Sequence, residues 1–93
     1  MKLITLNTHS LLEEHYEEKL RAFADLICKE RPDILAMQEV NQLASEEILP
    51  DETIPGFVRC SGFSLPLRKG NHAARLAGLL SARGLSDSWT WIL

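Results

Sequence analysis

Two apolar runs in this chain break off at polar residues whose types can do chemistry together. The run Leu3-Ile4-Thr5-Leu6 stops at Asn7, and Ile34-Leu35-Ala36-Met37 stops at Gln38 and Glu39. A carboxylate is a hard oxygen ligand, suited to Mg²⁺ (or Mn²⁺), which keeps several waters and takes few protein groups. An amide beside it can donate to a phosphate oxygen or orient the carboxylate. A plainer reading competes with this one. A Glu after a strand is commonly a solvated residue or a helix cap, and Asn commonly ends strands in turns.

The remaining polar residues carry weaker signals. His9 lies just past Asn7 and can reach a phosphate, although a turn histidine is ordinarily a surface residue. His15 and His72 stand at helix starts, where solvation is expected. Three histidines without an HxH or HExxH spacing do not make a zinc site. Ser10 and Ser61 lack the context of an activated nucleophile. Glu46, Glu47 and Asp51 read as a polar loop face. Trp89 and Trp91 stand two apart, and at least one is expected to pack in a core or against missing structure.

The elements that must position Asn7 and Glu39 are readable. Residues 2–9 are β-rich and give a first strand ending near Asn7. Residues 13–31 give an amphipathic helix, with Tyr16, Leu20, Phe23, Ala24 and Ile27 on one face of a 3.6-residue period. Acids crowd its start and Lys29 and Arg31 its end, as the helix dipole favours. Thr8, Ser10 or a neighbour can cap it, and Pro32 stops it. Glu17–Arg21 and Asp25–Lys29 have the spacing of ion pairs on a helix surface. "DILAMQEV" is the second strand, and its continuous apolar run suits a parallel strand covered on both faces. Strand, helix and strand make a βαβ unit, so the two strands run parallel. Asn7 and Glu39 then share the carboxyl edge of the sheet, where open α/β sheets bind ligands.

Downstream, prolines and glycines punctuate residues 41–70, with a short third strand expected around Phe57–Ser61. A second helix is expected over 71–83, capped by Asn71 and closed by Gly84 and Leu85. Gly78 inside it suggests a close approach to a sheet. "DSWTWIL" reads as the start of another strand.

Composition sets bounds. The chain has 93 residues, 45% of them hydrophobic, which suits one small α/β domain. Such a chain buries only about 60–65% of the surface its unfolded form exposes. Ten basic and 13 acidic residues give a net charge of −3, which excludes nucleic-acid binding by charge alone. Cys28 and Cys60 show no CxxC spacing; one disulfide between them is the alternative, and two buried free thiols are the expectation. No signal peptide or membrane-length apolar stretch is evident, so a cytoplasmic protein is expected.

"LITLNTHS", one amphipathic helix and then "PDILAMQEVNQ" together resemble the opening of the endonuclease/exonuclease/phosphatase, or DNase I-like, family. "NHAARLAGLLSARGLSDSWTWIL" also resembles a bacterial branch of it. The resemblance implies a four-layer α/β/β/α sandwich that begins with a βαβ unit, and a metal-dependent phosphoester hydrolase. Glu39 would be the ligand of Mg²⁺ or Mn²⁺. Asn7 would be its organiser or a phosphate contact, and Gln38 a support for position and packing. The substrate would be a phosphoester: a nucleic acid, a phospholipid or a sugar phosphate. The family's Asp and Asn pair and its Ser-Asp-His motif have no counterpart in this sequence. The expectation is therefore that residues 1–93 are the N-terminal portion of such a domain, inactive without a missing C-terminal half. The alternative is a non-catalytic, self-associating or interaction module with an unpaired sheet edge. A small βαβ metal- or nucleotide-binding domain ranks behind both, because no glycine-rich phosphate loop is present.

Overall fold

The computed structural model describes residues 1–9, 14–85 and 88–92. Its described elements are β1 (Leu3–Asn7), α1 (Tyr16–Glu30), β2 (Ile34–Gln38), a 3₁₀ turn (Asp51–Thr53) and α2 (His72–Ala82). The fold is α+β, with two helices and a two-stranded parallel sheet. Asn7 stands opposite Gln38 in the register, so both strands end at one edge.

The apolar stripe of α1 does what its period predicts. Leu20, Ala24 and Ile27 are buried and pack with Leu76 and Leu80 of α2, while Ile4, Leu35 and Met37 of the sheet lie against the same cluster. Full burial of one such Leu or Ile contributes about 1.5–3 kcal/mol. The start of α1 differs from expectation. Its cap is His15 in a left-handed conformation (φ 53°) with no side-chain hydrogen bond. Thr8 is used elsewhere, its hydroxyl donating to the Gln38 carbonyl at 3.1 Å. Ser10 and Glu13 lie outside the described residues. At the far end Arg31 turns left-handed (φ 47°) and donates its N–H to the Ile27 carbonyl, just before Pro32.

Two acids of α1 reach across to α2. Glu17 takes a bidentate hydrogen bond from Arg75, at 2.5 and 2.7 Å. Asp25 pairs with Arg83 at 3.1 Å. The fork of a guanidinium matches a carboxylate better than a flexible lysine does. Asn71 caps α2 as expected, accepting the Ala74 N–H at 3.0 Å. Gly84 (φ 85°) closes it, with the Leu85 N–H returning to the Leu80 carbonyl. Gly78 permits no close approach: a Cβ placed there meets nothing within 4 Å.

The sheet is covered on one face. Strand alternation puts Ile4, Leu6, Leu35 and Met37 toward the helices and Leu3, Thr5, Asn7, Ile34, Ala36 and Gln38 on the other side. Leu3 is 60% and Ile34 49% exposed, so the expectation of a strand covered on both faces does not hold.

The two later strands shrink to one parallel bridge, Phe57 to Trp89. Gly56 (φ 73°) and the Gly62 turn break up the first run. Side-chain hydrogen bonds add to the backbone bonds that hold this region. Arg59 forks onto Asp51 at 2.6 and 2.8 Å and donates to the carbonyls of Phe63 and Leu65. Its guanidinium lies 5.5 and 5.6 Å from the ring centres of Phe57 and Phe63. Asp51 is therefore an anchor of the loop, and the Arg59 hydrogen bonds hold its carboxyl below the ordinary range. Gln42 ties the loop to α2, donating to the Pro66 carbonyl and accepting from the Arg68 N–H and from Asn71. Cys60 is exposed and Cys28 half-buried, so only Cys28 approaches the expected burial. Among the described residues no helix is long and apolar enough to cross a membrane.

Candidate functional site at the carboxyl edge of the sheet

Asn7 and Glu39 stand at the same sheet edge because β1 and β2 are parallel neighbours in this register. Asn7 is the last residue of β1, and Glu39 follows the last residue of β2. His9 bridges the two. Its backbone N–H donates to Asn7 Oδ1 at 3.1 Å, and its ring Nε2 lies 3.8 Å from Glu39 Oε2. The Glu39 and His9 side chains are 53% and 61% exposed, so the carboxylate is open to water.

The turn that gathers these groups is locally strained. His9 (φ 51°) and Glu39 (φ 58°) both adopt left-handed backbone conformations, which side-chain-bearing residues enter at a cost of about 1–3 kcal/mol. Thr8 holds them in place. Its N–H and its hydroxyl both donate to the Gln38 carbonyl, each at 3.1 Å. Gln38 turns to the open face and donates to the Thr5 hydroxyl at 3.0 Å, which gives it a packing role.

Among the described residues no group of three or more His, Cys, Asp or Glu side chains is placed to hold a metal ion. One half-exposed carboxylate with an amide and an imidazole nearby does not make a dehydrated cage for zinc or calcium. It does suit a hydrated Mg²⁺ or Mn²⁺ ion, which needs only one or two carboxylates.

His9 gains weight relative to the sequence reading, since a turn residue with positive φ now sits between both candidates. His72 is the larger correction. It is buried, 4% exposed, with Nδ1 2.9 Å from the Tyr16 hydroxyl and Nε2 enclosed without a partner among the described residues. Burial pushes its pKa below the ordinary value, and the Arg75 charge pushes the same way. His15 is exposed, as expected.

A cavity of about 720 Å³ opens beside the site. It is lined by β2 with Glu39 and Val40, by Ile27 and Arg31 at the end of α1, by the apolar side of α2, and by residues 88–92. Trp89 and Trp91 belong to its wall and rest on the loop, Trp89 on Phe57 (ring centres 4.9 Å apart) and Trp91 on Phe63 (5.6 Å). The sequence showed these tryptophans but not this location, which depends on the Phe57–Trp89 bridge. Comparison with protein-family models, with curated proteins and with solved structures finds no match to this chain.

Proposed function

We propose that the carboxyl edge of the sheet is the divalent-cation end of a phosphoester hydrolase site. The observation that carries this reading is the placement of Asn7, His9 and Glu39 at one open sheet edge, linked through His9. Glu39 would hold the ion. Asn7, whose Oδ1 is taken by the His9 N–H, offers its Nδ2 to a phosphoryl oxygen. A bound cation would supply charge stabilisation at the phosphoryl group. The parallel sheet would be the opening of a four-layer α/β/β/α sandwich of the DNase I-like kind, and the site would take its substrate as a phosphoester anion. Asn7 and Glu39 supply neither a general base nor an acid for the leaving group. Residues 1–93 are therefore expected to bind the cation without appreciable turnover.

Paramagnetic Mn²⁺ tests the reading directly. Titration into the ¹⁵N-labelled protein should broaden the amide signals around Asn7, His9 and Glu39 first, and Glu39→Gln should remove the effect. Broadening that centres on another acidic group, or that survives Glu39→Gln, rules the site out.

A further inference from the structure

We infer that the cavity beside β2 is a docking slot for one extended peptide strand, apolar at alternate positions, which joins the sheet at β2. The hydrogen-bond register identifies the occupant. The Ile34 N–H donates to the Lys2 carbonyl and the Gln38 carbonyl accepts from Thr8. In a parallel ladder this assigns the main-chain groups of Ile34, Ala36 and Gln38 to β1, and it turns those of Leu35 and Met37 to the opposite edge. Among the described residues β2 pairs only with β1, so that edge carries a row of donors and acceptors without strand partners. Leu35 and Met37 also line the 720 Å³ cavity, with Asp33 and Glu39 beside them.

A lipid chain would satisfy the apolar lining and leave these polar groups unmet. A strand satisfies both, because its backbone pairs with β2 while every second side chain enters the cavity against Leu76, Ala77 and Leu80. Residues 88–92 also line the space. Asp33 and Glu39 stand at the two ends of β2 and line the cavity. Basic residues at the strand's ends match them; Asp33 Oδ2 already accepts the Lys2 N–H at 2.7 Å, so the match is stronger at Glu39.

The probe is a capped peptide of alternating Thr and Val, seven residues long, with a Lys added at each end. It is tested on the 93-residue chain without divalent cations, so the outcome is independent of the cation site. In the uncomplexed protein the Leu35 and Met37 amides should exchange hydrogen faster than those of Ala36 and Gln38. The peptide should slow Leu35 and Met37 selectively. N-methylation of the peptide at alternate residues, on the edge that faces β2, should weaken binding by about tenfold or more. Met37→Pro should do the same, since it removes a donor from the cavity edge and none from the β1 ladder. Replacing each terminal Lys with Glu should weaken binding at low salt.

Equal affinity for the N-methylated peptide overturns the inference, and it does so without depending on how the proline variant folds. Displacement of the peptide by decanoate at comparable concentration assigns the cavity to lipid instead. Protection of Leu35 and Met37 that grows with protein concentration in the absence of peptide assigns it to a second copy of the chain.

Discussion

At the scale of residues, the chain sets three positions out of ordinary conformation or environment. His9 and Glu39 hold positive φ, and His72 is buried with one ring nitrogen unpartnered among the described residues. His72 gives the clearest prediction. Its folded pKa is depressed, mainly by burial, while its unfolded pKa is about 6.5. Above that value the ring is neutral in both states and contributes no pH dependence. As pH falls below about 6.5 the unfolded state takes up the proton first, so stability falls until the folded pKa is reached. Urea unfolding between pH 7.5 and 5 should show this slope, and His72→Phe should flatten it. Little of this was legible in the sequence. The placement of Asn7 and Glu39 at one sheet edge was, because polar residues ending apolar runs are visible in one dimension. The burial of His72 was not, because it depends on Tyr16 and on how α1 packs against α2.

At the scale of elements, periodicity was enough where an element is long and packs on one face. The stripe on α1, the parallel strand pair and the Asn71 and Gly84 caps of α2 all follow from local pattern. The third and fourth strands did not form as expected. Glycines and prolines confine that pairing to Phe57 and Trp89, and Arg59 and Gln42 hold the region through contacts no local window displays. Gly78 is the correctable position. It sits within α2, its φ lies outside the left-handed region, and a Cβ would meet nothing within 4 Å. Gly78→Ala should therefore raise stability by about 0.5–1 kcal/mol, read as an upward shift of the thermal midpoint. A loss of stability would mean that α2 packs more tightly there than described.

At the scale of the whole molecule, the balance is one of cover. The helices shield one face of the sheet, while Leu3 and Ile34 stand on the other and are about half exposed or more. An exposed β-rich face promotes association. Ile34→Lys should reduce light scattering and hydrophobic-dye binding in concentrated solution. It should leave the unfolding free energy within about 0.5 kcal/mol, the range of ordinary surface substitutions. A large loss of stability would show that this face is covered in the native protein. The same exposure adds interest to the order in which the chain emerges during synthesis. Thr8 finds its acceptor on Gln38, 30 residues later, which a ribosome adds in roughly 2–6 s. For that interval β1 waits for β2 while α1 emerges in between. β1 is thus a candidate client for ribosome-bound chaperones.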